Sequence, residues 1–87
     1  VTRPVVTVVG LGPGDERFVT AHTLTAIESA PHRFVRTARH PSAHLVPDAV
    51  SFDDVYDAAD TFDDVYATIV DRLVDASIQH DEVLYAV

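Results

Sequence analysis

The chain has 87 residues, 47% of them hydrophobic, with fifteen Val, no Cys and a formal net charge of −8. That length holds one compact unit, and the composition excludes general disorder. The missing Cys excludes disulfides and thiol chemistry, and the acidic balance counts against nucleic-acid backbone binding, which wants a basic footprint.

The first element is Val5–Val9, a β-branched run of the kind that suits a central strand covered on both faces. It ends in Gly10-Leu11-Gly12-Pro13-Gly14-Asp15, which holds all three glycines of the chain and allows a tight turn with close approach of a ligand to the backbone. Thr20 then reads as an N-cap with Val19 before it. The helix that follows puts Ala21, Leu24 and Ile27 on one face, and Pro31 closes it at about Ser29 or Ala30. A second strand is expected over His32–Thr37. A polar stretch over Ala38–Pro47 follows, in which Pro41 opens a brief helical turn through Ala43, His44 and Leu45.

Val50–Phe52 reads as a very short third strand. Thr61 opens the clearest helix, with Asp64 placed for a capping box and Phe62, Val65, Tyr66, Ile69, Leu73 and Ala76 on the helical period. Asp63 and Asp64 favour the positive end of its dipole, whereas Asp71 and Asp75 are a like-charged pair near its far end. Val83–Val87 is the fourth strand. The pentapeptide FDDVY occurs at Phe52–Tyr56 and at Phe62–Tyr66, an isolated coincidence of strand-exit and helix-start chemistry rather than a repeat.

Strands alternating with helices predict an α/β fold, Rossmann-like and three-layered, with a mostly parallel sheet of about four strands. The last strand has nothing after it, and ligands in such folds bind beyond the carboxyl ends of strands. The expectation is therefore a truncated piece of a larger domain with a free edge at its last strand.

Charge is unevenly spread. Residues 31–47 carry Arg33, Arg36 and Arg39 and no acid, whereas residues 48–87 carry eleven acids and only Arg72. An anionic small molecule is steered to the middle segment. Arg36, near the carboxyl end of the second strand, suits a carboxylate-binding fork or an ion pair with the acidic tail; Arg33 and Arg39 read as surface charges. Asp15 serves either as a helix-start acid or as a polar contact in a cleft. His40, before Pro41, is expected to order its turn. His32, His40 and His44 lack the partners of a metal site, and the acids of residues 53–64 lack the glycine and terminal Glu of a calcium loop. None of Ser29, Ser42, Ser51 and Ser77 stands on a nucleophile elbow. No catalytic residue and no metal are predicted.

The glycine loop departs from the dinucleotide fingerprint, because its glycines fall at 10, 12 and 14 and no acid ends the second strand. Instead, Val8 to Asp15, with Val19-Thr20 opening a helix, resembles the start of the tetrapyrrole (corrin and porphyrin precursor) methylase family. Arg36-Thr37-Ala38-Arg39-His40-Pro41 is similar to the methylase-like N-terminal domain of MazG-type nucleotide pyrophosphohydrolases, and the likeness runs on through both FDDVY segments and the closing Val83–Val87. The resemblance implies that residues 1–87 are the first of two α/β lobes, with cofactor and substrate in the cleft between them. It implies Gly10, Gly12, Pro13, Gly14 and Asp15 as one cleft loop and Arg36, Thr37, His40 and Pro41 as the other. The cofactor so implied is S-adenosylmethionine, in the full-length protein only, with a tetrapyrrole or other anionic small molecule as acceptor. The alternative it carries is a non-catalytic regulatory or interaction domain fused to a MazG-type nucleoside triphosphate pyrophosphohydrolase. A homo-oligomer is expected, joined through the last strand or the Thr61–Ile78 helix. No apolar run approaches the roughly 20 residues of a membrane span and no secretory signal stands at the front, so the expected setting is cytoplasmic, without membrane or nucleic-acid partners.

Overall fold

A computed structural model describes residues 3–87. Four strands, β1 (Val5–Val9), β2 (Arg33–Val35), β3 (Val50–Ser51) and β4 (Glu82–Ala86), form one sheet in the order β1-β4-β2-β3. Every pairing is parallel. Three helices, α1 (Ala21–Ser29), α2 (Asp53–Ala58) and α3 (Phe62–His80), cover its two faces. The α/β class and the parallel sheet are as the alternation of elements predicts, and the layout is compatible with a Rossmann-like fold.

The positions of the first and last strands differ from expectation. β4 lies inside the sheet, with Val83, Leu84 and Ala86 all at 1% exposure or less, and β1 is an edge strand with Val8 61% exposed. Both are short apolar runs. What separates them is that β4 is paired on two sides, through Val8↔Tyr85 towards β1 and Phe34↔Tyr85 towards β2. No free edge is left at the last strand.

Alternation along the strands divides the core in two. Val9, Val35, Leu84 and Ala86 face α1 and meet Ile27 and Ala30 from it, with Leu11 and Val46 from the loops. Val6, Phe34 and Tyr85 face the other way and pack against Phe52, Val55, Val65, Ile69 and Leu73. There Phe52 stacks on Phe34, with centroids 5.4 Å apart, and meets Tyr85 edge-on at 5.6 Å.

In α1 the buried positions are Thr23 and Ile27, whereas Leu24 and Ala21 are exposed. Thr23 tolerates burial because the Thr20 hydroxyl both accepts its backbone N–H and donates to its side-chain oxygen. In α3 the inward residues are Val65, Ile69, Leu73 and Ser77, and Phe62 and Tyr66 lie outside. Thr61 caps α3 by accepting the Asp64 N–H at 3.2 Å, and no return bond from the Asp64 carboxylate completes the box among the described residues.

The first FDDVY segment starts a helix too, which the sequence reading did not place. Phe52 leaves β3 into the core, and Asp53 and Asp54 form the first turn of α2, as Asp63 and Asp64 do in α3. The expected turn at Ala43–Leu45 is a short 3-10 segment.

Candidate functional site

Both loops singled out in the sequence leave the carboxyl end of the sheet, one from β1 and one from β2, with the end of β4 between them. The parallel ladder runs on into them. The Leu11 N–H donates to the Val87 carbonyl at 2.7 Å, and the Arg36 N–H to the Ala86 carbonyl at 2.9 Å. The loop bases are thereby fixed by the strand between them.

Direct bonds then join one loop to the other. The His40 Nδ1 accepts the Ser42 N–H at 3.0 Å, so Nε2 carries the ring hydrogen and donates it to the Gly12 carbonyl at 2.8 Å. The Ser42 hydroxyl, fully buried, donates to the Gly14 carbonyl at 3.0 Å. His40 orders its turn, as expected, and also clamps the glycine loop 28 residues upstream. Ser42 is the residue the sequence did not reveal. Its only local signal is a small polar side chain just after Pro41.

The glycines differ in what they permit. Gly12 has φ +79°, and a Cβ there would lie 2.8 Å from the Phe18 carbonyl oxygen. A Cβ on Gly14 would approach the Phe18 ring to 3.2 Å, and one on Gly10 would meet nothing within 4 Å. Gly12 is thus required by the turn, whereas Gly10 is exposed and leaves open space beside the backbone.

Asp15 does not project from the loop as a lone acid. Its carboxylate accepts the Arg17 N–H and both Nε and Nη2 of the Arg17 guanidinium, capping a 3-10 turn at Glu16–Phe18. Arg17 holds the Asp15 carboxyl below the ordinary range. Asp53 is tied in a similar way at the other loop. The adjacent Thr37 hydroxyl, and then the Ala38 N–H at 3.0 Å, keep its carboxyl low. The Thr37 oxygen also accepts the Arg39 N–H at 3.1 Å. Burial raises the Tyr85 phenol above its ordinary value, with Tyr56 adding to the effect.

Arg36 pairs with no acid among the described residues, and neither does Arg39. Both line a cavity with Thr37, so Arg39 is more than the ordinary surface charge expected from the sequence. Arg33 is spent on backbone, donating to the Ala30 and Pro47 carbonyls. Pro13 is exposed at the tip of the glycine loop. Among the described residues no group of three or more His, Cys, Asp or Glu is placed to hold a metal ion, and no helix is long and apolar enough to cross a membrane.

No protein-family profile matches the chain, and no solved structure matches it. Among curated proteins it is similar to the uncharacterized protein YabN of Bacillus subtilis (strain 168), with 36% identity over 86 residues. The matched region covers 94% of this chain and 17% of YabN. The chain therefore spans about a sixth of the length of that relative.

Proposed function

We propose that this chain is the first lobe of a methylase-like domain of the corrin and porphyrin precursor type, supplying half of a cleft for S-adenosylmethionine and an anionic acceptor. The observation that carries the reading is the clamp. The two loops that bear the resemblance meet at the carboxyl edge of the sheet, held by His40 on Gly12 and Ser42 on Gly14. Carboxyl edges are where α/β sheets bind ligands. The open space beside Gly10 suits close approach of a bound molecule to the backbone.

A bound sulfonium cofactor supplies the electrophilic methyl group. The chain's own part is positioning and charge placement, which such a transfer needs more than an acid–base pair. Arg36 holds an acceptor carboxylate, and the clamped loop presents a rigid backbone surface. Half a cleft gives weak binding, so titration of S-adenosylmethionine into the 87-residue chain is expected to show nothing tighter than roughly millimolar. A protein that also carries a second lobe binds it far more tightly. Stoichiometric micromolar binding by the monomeric chain would overturn the half-site.

A second reading draws on the use of the polar side chains. Asp15, Thr37, His40 and Asp53 are all engaged within the lobe, which leaves none of these four free for acid–base work in a cleft. That favours a regulatory or interaction domain fused to a MazG-type nucleoside triphosphate pyrophosphohydrolase. Turnover of S-adenosylmethionine with a porphyrinogen acceptor by the full-length protein would eliminate it.

A further inference from the structure

Beside the exit of β2, the starts of α2 and α3 border a cavity of about 360 Å³ with no glycine-loop residue in its wall. The wall combines two chemistries. Arg36 and Arg39, both exposed, bring two guanidiniums that make no ion pair within 4 Å among the described residues, although Arg39 lies close enough to Asp53 to help keep its carboxyl low. Tyr56, Phe62 and Tyr66 bring aromatic surface. The Phe62 and Tyr66 rings lie with centroids 6.4 Å apart and planes 21° from parallel. Phe62 is 71% exposed, so this surface is not buried by the lobe itself.

Unpaired guanidiniums take phosphate in a bidentate fork, and flat aromatic faces take a base by stacking. A volume of this size lies at the small end of small-molecule sites, which suits one base–sugar–phosphate unit better than a macrocycle. Asp53 is already engaged by the Ala38 N–H, but Asp57, also in the wall, is open to accept from a hydroxyl. Its charge disfavours a long polyphosphate lying across it.

We propose that this cavity binds a nucleoside monophosphate, with the base against Phe62 and Tyr66 and the phosphate on Arg36 and Arg39. The site goes beyond the methylase reading; it shares Arg36 with the acceptor contact of that reading, but its test uses no methyl donor or acceptor and so fails or succeeds separately.

Calorimetric titration of the 87-residue chain with adenosine 5′-monophosphate tests the site, with adenosine and ribose 5-phosphate as the two half-ligands. The monophosphate is expected to bind saturably and about tenfold more tightly than either half. Arg36→Gln with Arg39→Gln is expected to weaken it by about tenfold or more, and Phe62→Ala with Tyr66→Ala by about fivefold or more. Arg17→Gln, an exposed change at the glycine loop, leaves binding unchanged. All four cavity side chains are exposed, so the variants should keep the thermal unfolding profile of the parent. Absence of saturable binding below about 1 mM, equal affinity for adenosine, or an equal loss in Arg17→Gln would overturn the site.

Discussion

Replacing each glycine of the loop by alanine separates the turn's backbone demands from the openness of its surface. At Gly12 the φ of +79° is the left-handed region, which costs an L residue about 1–2 kcal/mol. The new Cβ would also lie 2.8 Å from both the Phe18 Cβ and the Phe18 carbonyl oxygen. Ordinary carbon contacts lie at about 3.5–4.0 Å. Phe18 ends the 3-10 turn capped by Asp15, and its N–H is bonded to the Asp15 carbonyl, so it cannot retreat freely. Shifting that backbone adds about 1–3 kcal/mol, for a total loss of about 2–5 kcal/mol. Intact domains hold only about 5–15 kcal/mol. At Gly14 the nearest atoms are the outer edge of the Phe18 ring, which is half-exposed and can swing aside, so the cost stays below about 1 kcal/mol. At Gly10 nothing is met, and the change falls within about 0.5 kcal/mol. Equilibrium urea unfolding followed by far-ultraviolet circular dichroism gives all three values. A Gly10→Ala loss as large as that of Gly12→Ala would refute the steric account of the loop.

Four further outcomes are expected. Ser42→Ala leaves the Gly14 carbonyl without its buried donor and should cost about 1–3 kcal/mol by urea unfolding. His40→Ala should cost a similar amount, since it removes both the donor to Gly12 and the acceptor for Ser42; a double-mutant cycle far from additive is expected for the shared clamp. The Asp53 carboxyl is depressed in the folded state, so its contribution to stability is present above the ordinary carboxylate pKa and lost as pH falls through the folded value. Acid titration of Asp53→Asn should therefore show a shallower loss below about pH 4 than the parent, and identical curves would remove Asp53 from the loop's support. On α3, Val70 and Val74 are 56% and 45% exposed, so Val70→Lys with Val74→Lys should leave stability within about 1 kcal/mol while weakening any salt-promoted self-association seen by sedimentation equilibrium. Unchanged association would place any contact between copies elsewhere.

Particular residues show why some features were legible in the sequence and others were not. Both apolar runs, Val5–Val9 and Val83–Val87, announce strands, because β-branched residues suit a pleated surface. Which of them lies inside the sheet depends on pairing partners far away in the chain, and VVTVV looks more interior than EVLYA. Helix α2 was missed because it is six residues long and its N-cap, Phe52, has no side-chain oxygen with which to signal a helix start. Thr61 announces α3 by the opposite property. The loops themselves were visible in their glycines and in Arg36 to Pro41. The clamp was not, since Ser42 and Gly14 stand 28 residues apart and neither residue type names the other. Arg39 reads as a surface charge and Phe62 as part of the helical period of α3, and nothing in either pattern indicates that β2, α2 and α3 bring them to one cavity.

The place of β4 also fixes the order in which this fold can come into being. Synthesis delivers β1 and β2 long before the strand that must lie between them, since Val5 pairs with Glu82 and Arg33 with Leu84. A nascent chain that has not yet exposed Glu82–Ala86 on the ribosome holds strands with no partner in common, and its first strand has no ladder to join. Non-local pairing of this kind delays folding until the loop-closure cost can be met in one step. It also leaves open strand edges exposed to other chains in the meantime. Both loops are anchored to this same late strand through Leu11 on Val87 and Arg36 on Ala86, so they gain their common footing only when β4 slides into place.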